Sequence, residues 1–241
     1  MKQLYYGCVN FIRTRPPVLS LGVILFIHLL QSSALAQMPA HQESLTRVVL
    51  LPAFDMCAIY GENVSMTGPL SGQVFVTGPV APQATMVITD KLKKLLDRIE
   101  PVELIFIPRQ DPEHLVGIEP VAGQRVQRIA AVQEFGRQQK ADSVFCAYVY
   151  AFRERVGSAY GVDLPAMVIF ELNLVSVATG SILWQAHYSE TQKPLSENAF
   201  QIGKFFKRKG RWITAEEMAD EALEKCIRSF ESDYVGLPRS Q

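Results

Sequence analysis

Residues 143–153 read SVFCAYVYAFR, apolar on both alternating faces and rich in strand-forming side chains. A strand of this kind needs cover on two sides, so it belongs at the centre of a sheet with layers packed on both faces. Residues 47–54, RVVLLPAF, repeat the pattern near the start of the chain. There Pro52 has no N–H to give to a ladder, and pairing should weaken or bulge at that point.

Between these strands the period changes to that of a helix. Over 84–99, Ile88, Leu92, Leu95, Leu96 and Ile99 fall on one face, with Asp90, Lys93, Lys94 and Asp97 on the other. Residues 103–107 read as a short strand stopped by Pro108, and 122–140 as a second helix with Val126, Ile129, Val132 and Phe135 inward. After the central strand, segments 167–177 and 181–191 are joined by the short Ala178-Thr179-Gly180 link and predict a hairpin. In its second strand Ile182, Trp184, Ala186 and Tyr188 alternate with Gln185, His187 and Ser189, one face buried and one wet. A last helix starts at Thr214, where Glu217 three positions on completes a capping box. Met218, Ala219, Ala222, Leu223, Cys226, Ile227 and Phe230 form its core face, and 232–241 read as a flexible tail. The fold class is therefore α/β: a single domain over 47–231, with a mixed β-sheet covered by helices, in the order β-α-β-α-β-β-β-α.

The first 36 residues stand apart from that domain. Lys2, Arg13 and Arg15 precede an apolar run over 18–30, and Ala34-Leu35-Ala36 then offers small residues at the two positions that a signal peptidase needs. The run is short against the ~20 residues of a membrane span. Residues 1–36 read as a signal peptide and 37–46 as a polar leader; the alternative is an uncleaved helix anchoring the chain in the inner membrane. Gln37 stands where a lipoprotein would carry cysteine. Loss of 1–36 removes three basic residues and no acidic one, so 24 of each become 21 basic and 24 acidic. That balance gives no basic field for nucleic acid. The three cysteines left, Cys57, Cys146 and Cys226, read as buried thiols, with one bridge as the alternative that export permits.

The chain holds no nucleophile elbow, phosphate-binding glycine loop or HExxH metal motif, and no cofactor is expected. Asp111, Glu113 and His114 in a DPEH loop are the one grouping with metal-ligand chemistry, the basis of an alternative as a secreted metal-dependent hydrolase. Two other segments suit contact with a partner. Lys204, Lys207, Arg208, Lys209 and Arg211 lie among Phe205, Phe206 and Trp212, a composition fitting an anionic membrane surface. Residues 56–82 are rich in Gly, Pro, Ser and Thr, with Val74, Phe75 and Val76 as a short strand and turns elsewhere. Tyr60, Met66, Leu70 and Phe75 are its candidate contacts for a protein partner, unless they cover the sheet.

The chain also resembles a bacterial envelope superfamily, that of the TolB N-terminal domain, CsgG and LpoB. The resemblance rests on Leu51-Pro52-Ala53-Phe54 ending the first strand, on Ala141-Asp142-Ser143-Val144 leading into the central one, and on Thr179, Gly180 and Trp184 in the hairpin. It implies a noncatalytic, protein-binding module of the bacterial cell envelope with no shared catalytic residues; the signal peptide would place it in the periplasm.

Overall fold

The computed structural model describes residues 45–100, 102–108, 125–158, 162–192 and 211–234. The main sheet is built on β1 (Arg47–Leu50), β5 (Glu103–Phe106), β6 (Ser143–Arg153), β9 (Met167–Ser176) and β10 (Ile182–Thr191), in the order β10-β9-β6-β1-β5. β1 runs parallel to both β5 and β6, and β6-β9-β10 form an antiparallel meander. The sheet is mixed, as the order of elements predicts.

β6 is the centre that its sequence demands. Its two faces feed two separate cores. Phe145, Ala147 and Val149 join Val48, Leu50, Phe170, Leu172, Leu174 and Trp184 under α2 (Ala84–Leu96) and α4 (Ala215–Tyr234). Val144, Cys146, Tyr148 and Tyr150 join Val49, Leu51 and Val175 on the other face, under α3 (Arg125–Gln138). With β5 on one side of β1 and β6 on the other, crossovers of one hand put α2 and α3 on opposite faces.

Pro52 breaks the first strand as expected. β1 ends at Leu50 opposite Phe145, and β2 (Phe54–Asp55) resumes with Phe54 opposite Tyr148, three residues against two between the paired positions. The break leaves the Ala53 N–H without a ladder partner. Thr89 on α2 accepts it at 2.9 Å and donates its own hydroxyl to the Thr85 carbonyl at 2.6 Å. Asp142, in the turn before β6, accepts the backbone N–H groups of Thr46 and Arg47 at 3.0 and 2.8 Å, fixing the start of β1 against β6.

The capping box of α4 is formed in both directions. The Glu217 N–H donates to Thr214 Oγ1 at 3.1 Å, and the Thr214 N–H donates to Glu217 Oε2 at 3.0 Å. Hydrogen bonds from Thr214 and Arg211 hold the Glu217 carboxyl below the usual range.

Several expectations need correction. Helix α4 continues through residues 232–234, placed in the tail by sequence. Ile182 and Trp184 do not share a face: a register shift between them turns Ile182 to the α3 side and Leu183 to the α2–α4 side. Val126 is 76% exposed rather than inward, and Arg128 is buried in its place. Residues 56–82 hold the expected strand, β4 (Val74–Val76), but also, in place of turns, α1 (Met56–Tyr60) and β3 (Ser65–Thr67). A small ladder of β7 (Val156–Gly157) with β8 (Val162–Leu164) also lay outside expectation.

Candidate functional site: the hairpin over the sheet

Segment 56–82 builds a cover for the α3 face. Asp55 caps α1 by accepting the Ala58 N–H at 2.9 Å, and Gly61, at φ 89°, ends the helix and turns the chain back. β3 and β4 then pair antiparallel, Met66 opposite Phe75. The base is closed where Asn63 and Thr77 meet, through Asn63 N–H to Thr77 O at 2.9 Å and Thr77 N–H to Val64 O at 3.0 Å.

The alternation of β4 divides its side chains. Phe75 points into the sheet and stacks on Tyr150, ring centroids 4.1 Å apart. Val74 and Val76 point away, 70% and 52% exposed. Leu70, in the turn between β3 and β4, is fully buried in the same core as Tyr148 and Tyr150. Arg128 of α3 donates to the Pro69 carbonyl at 2.6 Å, which accounts for its burial.

Under this turn lies a buried polar group. Glu171 of β9 is 1% exposed and accepts hydrogen bonds from Ser71 Oγ, in the turn, and from the Tyr150 hydroxyl at 2.9 Å. The Ser71 hydroxyl oxygen also accepts the Gln73 N–H at 3.1 Å. Gly68 closes the cradle: a Cβ there would stand 2.8 and 2.9 Å from the two carboxyl oxygens. Burial pushes the Glu171 carboxyl above its ordinary value, while Ser71, Tyr150, Asn173 and Arg125 hold it down. The Asn173 amide acts here from nearby, without a hydrogen bond of good geometry. Tyr148 lies opposite Glu171 on β6, and burial raises its hydroxyl well above the ordinary value. Burial also raises the Cys146 thiol, to about 12.

His187 lies opposite Glu171 on β10, exposed, with its ring 6.4 Å from that of Phe75. Ser71 is engaged by the Glu171 carboxyl rather than by this imidazole, so the three do not form a serine–histidine relay.

The candidates named from sequence divide accordingly. Tyr60 and Met66 are half-buried at the margin of the α3-side core. Leu70 and Phe75 are part of that core, so a partner cannot reach them while the hairpin lies in place. Sequence reasoning missed Val74 and Val76 as the outward pair, although the alternation about Phe75 carried the signal. Lys204, Lys207 and Arg208 lie outside the described residues, as do Asp111, Glu113 and His114. Trp212 is half-buried beside Arg211, which pairs with Glu217 at 2.6 Å. Cys57, Cys146 and Cys226 are free thiols. Among the described residues no three His, Cys, Asp or Glu gather to hold a metal, and no helix is long and apolar enough to cross a membrane.

No family model matches the chain, and no curated protein matches it. Solved structures do. The PelC dodecamer from Paraburkholderia phytofirmans is 13% identical, with TM-score 0.41 over 78% of this chain and 85% of that one. The hypothetical protein CT253 from Chlamydia trachomatis is 13% identical, with TM-score 0.40 over 78% and 96%. The LpoB C-terminal domain from Salmonella enterica is 13% identical, with TM-score 0.31 over 70% and 94%. Likeness at this level transfers no partner or activity to the present chain.

Proposed function

We propose that this is a noncatalytic, exported protein of the cell envelope that acts by binding a protein partner, as an adaptor or accessory subunit of an assembly or transport system. The observation that carries the binding reading is the outer face of the β3–β4 hairpin. Val74 and Val76 are exposed there on an element whose inner side is pinned by Leu70 and Phe75. Exposed apolar side chains on a fixed support offer contact area at little ordering cost. Met66 of β3 lies opposite Phe75 on the inner side, Tyr60 ends α1 just before the hairpin, and Ile59 beside it is 40% exposed. Export rests on the charged start, the apolar run over 18–30 and the small residues at 34 and 36.

The test is capture from a native envelope extract by crosslinking, with the intact mass of the captured chain read alongside. The unaltered chain should start at Gln37 and hold a partner. The double variant Val74→Lys/Val76→Lys should keep its circular dichroism spectrum and lose at least tenfold in capture, the loss of about 1.4 kcal/mol. Undiminished capture would move the contact away from the hairpin, with residues 204–212 next to be altered.

A further inference from the structure

The β3–β4 hairpin is a self-closed unit. Its base is fastened by its own hydrogen bonds at Asn63, Val64 and Thr77, and it joins the domain through Gly61 on one side and Gly78 on the other. Asn63 adopts φ 58° and Gly61 φ 89°, so the entry strand already turns in the left-handed region. Besides the Gly78 N–H bond to Tyr150 O at its exit, four attachments hold the unit to the domain. Leu70 fills a buried site, Phe75 stacks on Tyr150, Arg128 grips the Pro69 carbonyl, and Ser71 bonds to Glu171. Only the last ends on a carboxyl, a group whose charge depends on its proton.

That group is also the one most confined by the closed position. Both Glu171 oxygens lie against Gly68 closely enough to leave no room for a Cβ, so no water layer fits between turn and carboxyl. From β6 the group faces Tyr150, Tyr148 and Cys146; from its own strand, Asn173; from the turn, Ser71. From α3 it feels Arg125, and Arg128 lies close to Tyr148; from β10 it is opposite exposed His187. Arg128 is already committed to Pro69. No cation bonds the carboxyl directly among these contacts.

We propose that Glu171 is a proton-operated latch: the hairpin rests on the sheet while this carboxyl is protonated and lifts from it as the carboxyl ionises. Lifting uncovers Phe75, Leu70 and the Tyr148–Tyr150 face, an apolar surface that the closed domain hides. The latch does not depend on the partner reading of the outer face.

The sign follows from burial. In the closed form the carboxyl keeps its proton to higher pH than an ordinary glutamic acid, because burial penalises its charge more than Ser71 and Tyr150 favour it. In the open form it meets water and ionises at its ordinary value. Opening is therefore insensitive to pH below the ordinary value. It then rises by up to about tenfold per pH unit until the closed-form value is reached, and levels off above it.

Native-state amide hydrogen exchange on the full chain between pH 4 and 8 tests this. The Gly78 N–H, bonded to Tyr150 O at 2.8 Å, reports release of the hairpin, and amides in the middle of β6 report global unfolding. After correction for intrinsic exchange, Gly78 protection should fall with rising pH and stay below that of β6 throughout; β6, which exchanges on global unfolding, can share the slope because Glu171 ionises freely in the unfolded chain as well. Glu171→Gln should flatten the Gly78 profile, and Ser71→Ala, which removes a donor favouring the ionised form, should carry the fall to higher pH. A flat profile in the unaltered chain overturns the latch. So does a slope that survives Glu171→Gln and disappears in His187→Gln.

Discussion

Thr89 shows how one hydroxyl repairs a backbone defect made 36 residues earlier. Pro52 interrupts the ladder, and the buried Ala53 N–H is satisfied by Thr89 Oγ1, itself held by the Thr85 carbonyl. Valine has the same shape and no acceptor. Thr89→Val should therefore lower stability by about 1–3 kcal/mol, the cost of an unsatisfied buried donor. The measurement is the midpoint of urea unfolding. An unchanged midpoint would mean that Ala53 finds another acceptor. The proline break was legible in the sequence because a missing N–H is a local property. The threonine that answers it was not, because only the packing of α2 on the sheet brings the two together. Arg128 makes the same point: helical periodicity assigned Val126 to the core, whereas the buried place belongs to an arginine that reaches a carbonyl 59 positions away.

Among the elements, those with a strong period and their own caps were read correctly. α4 begins where its capping box stands and buries the face its sequence marks, Cys226 half-exposed at the edge. Phe230 near its end meets Trp184 and Phe145 edge-on, centroids 5.4 and 6.2 Å apart. It is almost wholly buried, so Phe230→Ala should cost about 3–5 kcal/mol, part transfer and part cavity. A guanidinium midpoint within error of the unaltered chain would show that the last turns of α4 contribute nothing to the core. The β3–β4 hairpin was only half legible. Val74-Phe75-Val76 signals a strand, but its partner Ser65-Met66-Thr67 has a single apolar side chain and no flanking period. Its pairing comes from the turns at Gly61 and Gly72 and from the sheet beneath. The candidate surface suffered from the same gap: Phe75 and Leu70 look like contacts until the face they cover is known.

At the scale of the whole molecule, the two cores are joined through one strand. β6 gives Phe145, Ala147 and Val149 to the α2–α4 side and Val144, Cys146, Tyr148 and Tyr150 to the side covered by α3 and the hairpin. Neither layer can dissolve without stripping a face of the same eleven residues. The two sides should therefore unfold together, as a small domain does. Trp184 lies in the first core, and Tyr148 and Tyr150 lie in the second; with Trp212 and Tyr188, which packs on the first core, both replaced by phenylalanine, the tryptophan and tyrosine signals report on different sides. Leu70→Ala strikes only the second core, at the buried plug under the hairpin, and should cost about 2–5 kcal/mol. If the cores are coupled through β6, tryptophan fluorescence and the near-ultraviolet tyrosine signal will move to a lower urea midpoint by the same amount, with the slope unchanged. If the tyrosine signal alone moves, the hairpin side melts as a separate unit. The scaffold would then be the α2–α4 half of the domain, with the other half laid over it.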